Sequence, residues 1–159
     1  MIPKANYNII NRVFKGPKLK RYVIDDSQYL LVNDYFDRAK ESGFGKFTDM
    51  ALAFRNLIHD VNMKLPDDVV VYFLHHTEYD TNSGRTKAKT IGKMIDSYLT
   101  LEGCFDVVLM TTIENGEHFF ITQSDGLNTC KSPEGMFTDI KIPNDLGLVD
   151  KAIREYWGL

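Results

Sequence analysis

The chain has 159 residues, of which 43% are hydrophobic and 26% charged, the composition of an ordinary globular protein. Its net charge of −3 argues against a wholly basic nucleic-acid binder, although a local basic patch is compatible with it. The sequence shows no apolar run of membrane-spanning length and no signal-peptide pattern, and Cys104 and Cys130 lack metal-binding spacing. We therefore expect one domain over residues 1–159, with no membrane partner, in a reducing cytosol.

The first predicted elements are a helix and a short strand. Apolar residues at near-helical spacing in the first 18 residues predict the helix, and the run 22–24 predicts a buried parallel strand over 21–25. Asp25 and Asp26 follow this strand directly. Open α/β sheets bind their ligands at the carboxyl ends of strands, so these carboxylates are candidate site residues. Adjacent acids after a strand also act as turn residues or helix caps.

The next strand follows two predicted helices. Helical patterns cover 27–41 and about 49–64, and the continuously apolar run 69–74 is the strongest strand pattern in the sequence. It ends in a polar tip, His75-His76-Thr77. A right-handed crossover between the two strands would bring this tip to the same sheet edge as Asp25 and Asp26.

A basic segment follows this polar tip. Within residues 78–93 the sequence places four cations beside Gly and Ser residues: Arg85, Lys87, Lys89 and Lys93. Such a loop suits a polyphosphate or a nucleic-acid backbone. A solvated surface loop explains the same charges equally well.

The last part of the chain predicts a β-hairpin and a terminal helix. A helix at about 90–98 precedes a strand over 105–113, and Asn115-Gly116 predicts a tight turn into an antiparallel strand over 118–123. A helix over about 147–157 closes the chain. The pattern therefore predicts a βαβ unit in the first half of the chain and a C-terminal β-hairpin.

Seven stretches, taken in order, resemble one family. The order is similar to that in phage-encoded RecA-like ATP-binding proteins of recombination and single-strand-annealing gene sets, from about residue 7 to the end. The stretches are Val-Ile-Asp-Asp-Ser-Gln-Tyr-Leu (23–30), Tyr-Phe-Leu-His-His-Thr-Glu (72–78), Lys-Thr-Ile-Gly-Lys-Met-Ile-Asp (89–96), Leu-Glu-Gly-Cys-Phe (101–105), Ile-Thr-Gln-Ser-Asp-Gly (121–126), Lys-Ser-Pro-Glu-Gly-Met-Phe (131–137) and Ile-Pro-Asn-Asp-Leu (142–146).

The resemblance implies an α/β fold: a RecA-like P-loop NTPase core with a mainly parallel sheet flanked by helices and a C-terminal β-hairpin. Such a core would bind ATP and Mg²⁺ in the cytoplasm of a bacterial host cell. Asp25 would then lie on the Mg²⁺ side of a Walker B strand, and Asp26 would help to orient the attacking water. His76 and Thr77 would belong to the sensor strand that contacts the γ-phosphate. Lys131 would reach the nucleotide of a neighbouring subunit in a homo-oligomer, and the segment 78–93 would contact single-stranded DNA.

One element of the family is missing from the sequence. No G-x-x-x-x-G-K-[ST] motif occurs, because Gly45-Lys46 and Gly92-Lys93 lack both the spaced glycine and the following Ser or Thr. We therefore expect an incomplete core without its P-loop strand, the C-terminal part of a split or truncated gene product. A second polypeptide would supply the P-loop, and the chain alone would hydrolyse little or no ATP.

Two other interpretations remain open. In the first, the chain is a non-catalytic DNA-binding or oligomerisation module that lacks the P-loop. In the second, it is a metal-dependent hydrolase built on Asp25, Asp26, His75 and His76. The second is less favoured, because adjacent side chains on a strand point to opposite faces and cannot easily bind one metal ion.

Overall fold

The computed structural model describes residues 2, 5–91, 96 and 100–159. The chain forms two compact units, one from Met1–His76 with Lys89–Cys104 and one from Thr77–Ala88 with Phe105–Leu159. Within the described residues, no helix has both the length and the apolar character needed to cross a membrane.

The described residues of the first unit include three complete α-helices and a pair of parallel strands. The side chain of Asn6 accepts a hydrogen bond from the Ile9 N–H and so caps the first helix. Leu65 ends the third helix, and Pro66 follows it. The elements are α1 (Tyr7–Phe14), β1 (Arg21–Ile24), α2 (Gln28–Asp37), α3 (Gly45–Lys64), β2 (Val70–Phe73) and a 3₁₀ helix (Leu101–Cys104).

The core of this unit is built on one face of α3. The buried residues of α3 recur at a spacing of three and four, as the sequence predicts: Met50, Ala51, Phe54, Leu57 and Ile58. The Phe54 ring is fully buried and lies against the rings of Phe73 and His75, with centroids 6.5 and 6.1 Å apart. The core therefore extends to the carboxyl end of β2.

Strands β1 and β2 pair in parallel, with register from Arg21↔Val70 to Ile24↔Phe73. The predicted parallel neighbours 21–25 and 69–74 are thus confirmed. The hydrogen bonding continues one residue past β2, because Leu74 N–H donates to Ile24 O at 2.9 Å.

The second unit is antiparallel. Its strands pair in the orders β3-β4 and β5-β6-β7. Asn115 and Gly116 have φ angles of 51° and 84°, which gives the predicted hairpin its type I′ turn. The elements are β3 (Thr77–Asp80), β4 (Arg85–Ala88), β5 (Met110–Glu114), β6 (Glu117–Ile121), β7 (Lys141–Pro143) and α4 (Leu146–Trp157).

The predicted RecA-like core with a mainly parallel sheet is wrong. Among the described residues there is one parallel pair, and the other sheets are antiparallel and have two and three strands. Antiparallel strands can be joined by short turns, whereas parallel strands need a long crossover. Part of the segment 78–93, which was predicted as a loop, forms a local hairpin over Thr77–Ala88 in which Gly84 adopts a positive φ of 69°. Most of the helix predicted at about 90–98 lies outside the described residues.

Candidate functional site

The candidate site lies at the carboxyl ends of β1 and β2. Because the two strands run in parallel, the segments that follow Ile24 and Phe73 emerge at one edge. Asp26 and His76 meet there, with Asp26 Oδ1 3.0 Å from His76 Nε2. The predicted proximity of the two polar tips is therefore confirmed.

The Asp25-Asp26 turn is held in an unusual backbone conformation. Asp26 has a φ of 49°, a left-handed value that Asp tolerates better than most residues. Its N–H donates to Asp25 Oδ1 at 3.0 Å. This turn directs the chain from β1 into α2, which begins at Gln28.

Ser27 fixes this turn to the tip of β2. The residue is completely buried, its N–H donates to Leu74 O at 2.8 Å, and its hydroxyl lies 2.9 Å from the same oxygen. The hydroxyl also lies 2.9 Å from His75 Nδ1. Buried and already hydrogen-bonded, Ser27 is a structural residue here and not a metal ligand or nucleophile.

The two histidines have different surroundings. His75 is half-buried, and burial lowers its pKa below the ordinary 6.5, while the hydrogen bond with the Lys89 carbonyl raises it and offsets part of the effect. His76 is exposed and carries the bond to Asp26, and its ring meets Tyr29 edge-on at 6.0 Å. Of the two, His76 is the one that a ligand in solvent can reach.

The part of the predicted basic segment up to Ala88 lies in a hairpin with paired charges. Arg85 and Lys87 on β4 lie directly opposite Asp80 and Glu78 on β3. Lys87 Nζ is 3.6 Å from Glu78 Oε1. Hydrogen bonds from Asn82 and Ser83 hold the pKa of Asp80 below its usual range, so it stays ionised. The hairpin therefore opposes each of its two cations with an acid.

The remaining predicted site residues are distributed over both units. Lys89 belongs to the first unit, where its N–H donates to His76 O at 2.8 Å. Thr77 begins β3 and Lys131 forms a backbone bridge with Val108, and both belong to the second unit. Lys93 lies outside the described residues.

Asp25 and Asp26 carry carboxylates, the type of ligand that Mg²⁺ prefers, but two carboxylates alone do not make a complete metal site. The described residues contain no group of three or more His, Cys, Asp or Glu side chains arranged to hold a metal ion. Mg²⁺ commonly keeps several waters and takes one or two carboxylates together with substrate phosphates. Asp25 and Asp26 fit that mode of binding, whereas a metal cage made of protein ligands alone does not fit these residues.

Sequence reasoning missed the roles of Ser27 and Leu74. Neither residue type carries a chemical signature at this position, and the Ser27 hydroxyl is recognisable as an anchor only once β1 and β2 are paired. The signal in the sequence that could have pointed to Ser27 was its position directly after Asp25 and Asp26.

Comparison with known proteins gave no match to a family model, to a curated protein or to a solved structure. The resemblance to RecA-like ATP-binding proteins therefore stays a prediction from the sequence.

Proposed function

We propose that the chain binds the Mg²⁺ complex of ATP at the Asp26–His76 edge and takes part in phage DNA recombination or single-strand annealing. The observation that supports this proposal most is the 3.0 Å contact between Asp26 Oδ1 and His76 Nε2 at the carboxyl ends of two parallel strands. Ligands of α/β proteins bind at such edges.

Each polar residue at this edge has a distinct role in the proposal. Asp25 holds the Mg²⁺ ion, which neutralises phosphate charge when bound. Asp26 accepts a hydrogen bond from His76 Nε2 and orients its ring. The protonated ring then has its Nδ1–H to donate to a phosphate oxygen. Two neighbouring carboxylates repel a bare polyphosphate, so binding should require the divalent ion.

The chain does not carry every group that phosphate binding needs. The sequence contains no G-x-x-x-x-G-K-[ST] loop, the element that supplies backbone N–H groups and a lysine to the phosphates. In this proposal another segment or a second polypeptide supplies the loop.

The test is titration calorimetry with ATP and Mg²⁺ on this chain alone and on a form completed by a P-loop segment. We expect binding only in the completed form, and a loss of about tenfold in affinity on Asp25→Asn. Asp67→Asn is the matched control, because Asp67 is exposed and precedes β2 at the opposite end. Absence of binding by the completed form, or equal affinity in Asp25→Asn, would contradict the proposal.

ATP turnover gives a second measurement. The isolated chain should not hydrolyse ATP. Magnesium-dependent turnover by the purified chain that disappears in Asp25→Ala would show that the chain already contains its phosphate site.

A second candidate function is single-stranded DNA binding or oligomer formation without catalysis. Arg85 and Lys87 alternate with Thr86 and so share one face of β4, and the exposed Lys89 follows. The opposed acids weaken this surface for a polyanion. Salt-dependent DNA binding that falls on Lys87→Ala and Lys89→Ala would support it, and unchanged binding would exclude the segment.

A further inference from the structure

The His75 ring joins segments that are far apart in sequence. Its Nδ1 atom lies 2.9 Å from the Ser27 hydroxyl and its Nε2 atom 2.8 Å from Lys89 O. Lys89 is held at both backbone groups, because its N–H also donates to His76 O at 2.8 Å. One side chain therefore contacts both the turn after β1 and the segment that starts at Lys89.

Hydrogen-bond chemistry assigns the two ring nitrogens. A carbonyl oxygen only accepts, so Nε2 must carry the hydrogen that points to Lys89 O. The single hydrogen of the Ser27 hydroxyl has two acceptors within reach, Leu74 O and, in the neutral ring, Nδ1, both at 2.9 Å. When it points to Nδ1, Leu74 O keeps the hydrogen bond from the Ser27 N–H at 2.8 Å. Burial, which lowers the pKa of His75, favours this neutral form. The charged groups that act on the ring are Glu102, which raises its pKa, and His76, which lowers it.

We propose that His75 is a positioning residue that holds Lys89 and the Ser27 turn in place around the Asp26–His76 pair. The proposal rests on the proposed function only for the nature of the ligand, since all of these contacts exist in the free chain. If His75 only packed against Phe54, the loss of either ring nitrogen would have the same effect on Ser27 and on Lys89.

Two substitutions separate the two hydrogen bonds. The side-chain amide of Asn reaches the position of Nδ1, and that of Gln reaches the position of Nε2. His75→Asn should therefore keep the bond to Ser27 and lose the bond to Lys89, whereas His75→Gln should do the reverse.

The readout is amide hydrogen exchange of Lys89 and Ser27, measured by NMR without nucleotide. We expect the Lys89 N–H to exchange about tenfold faster in His75→Asn with Ser27 unchanged, and the opposite pattern in His75→Gln. His59→Asn, on the exposed side of α3, is the control for a histidine substitution in the same unit.

The same variants test whether the Asp26–His76 contact depends on the His75 side chain. The ring signals of His76 should shift in both His75 variants and not in His59→Asn. If both variants speed both amides equally, or change neither, His75 is not a positioning residue. Because these measurements use no ATP, a failure of ATP binding does not alter their outcome.

Discussion

Asp26 and His76 contact each other across fifty residues of sequence, with 3.0 Å between Oδ1 and Nε2. Both side chains are more than half exposed, at 63% and 53%. Exposed ion pairs contribute little to stability, so we interpret this contact as a site feature and not as a structural support.

A double-mutant cycle tests that interpretation. Asp26→Asn, His76→Gln and the double variant should give a coupling free energy below about 1 kcal/mol in urea unfolding, because solvent screens the pair. A coupling several times larger would show that the contact belongs to the framework of the first unit.

The depressed pKa of His75 predicts a pH dependence of stability. Between its folded pKa and the ordinary value of 6.5, the unfolded chain binds more protons than the folded chain. The contribution of His75 to the free energy of unfolding is therefore complete above about pH 6.5 and is lost as the pH falls through that window. Unfolding curves of the wild type and His75→Gln, measured from about pH 8 downwards, should diverge in pH dependence below about pH 6.5. Curves that stay parallel over this range would contradict the prediction.

Tyr7 carries a buried hydroxyl for which the described residues provide no hydrogen-bond partner. Burial, followed by the charge of Asp34, raises the pKa of Tyr7. Tyr7→Phe should be neutral or should stabilise the fold by about 1 kcal/mol, because it removes an unsatisfied polar atom. Tyr22→Phe is the contrasting variant, since the Tyr22 hydroxyl accepts from the Lys18 and Leu19 N–H groups. Equal destabilisation of the two in thermal unfolding would contradict this reading of Tyr7.

The turn between β5 and β6 tests the second unit. Asn115 has a positive φ of 51°, and alanine in the left-handed region costs roughly 1–2 kcal/mol. Asn115→Ala should therefore lower the free energy of unfolding by about 1 kcal/mol, while Asn115→Gly should change it by a few tenths at most. Chemical denaturation measures both values. An unchanged free energy of unfolding in Asn115→Ala would mean that the turn backbone accommodates alanine without strain.

Local signals in the sequence predicted the elements better than their assembly. Asn115-Gly116 predicted its hairpin, and the apolar run 69–74 predicted β2, because turn chemistry and burial act over a few residues. The pairing of residues 77–80 with 85–88 was missed, because the many charges there are typical of a loop and only the register shows that they pair. The sheet class was wrong because β5 pairs with β6 in an antiparallel sheet and does not extend the parallel pair β1-β2.

One part of the candidate site, the proximity of Asp26 and His76, was predictable from the sequence. Asp26 and His76 follow two strands that run in parallel, and that topology alone brings them together. The position of His75 depends on packing against Phe54 and on the burial of Ser27, which only the folded chain specifies. Lys131 has no such topological link to the acids in the sequence.

The hairpin Thr77–Ala88 leaves the first unit and returns to it at neighbouring points. Thr77 and Ala88 are register partners, and the residues just outside them, His76 and Lys89, share a backbone hydrogen bond. Thr86 of β4 is also bonded outside the hairpin, because its N–H donates to Leu127 O at 2.8 Å. The turn at residues 81–84 is therefore the part of the hairpin that can lengthen, shorten or change its charge without stretching the strand before it. Such changes leave the polar edge at Asp26 as it is, so the turn and the edge can be altered independently of each other.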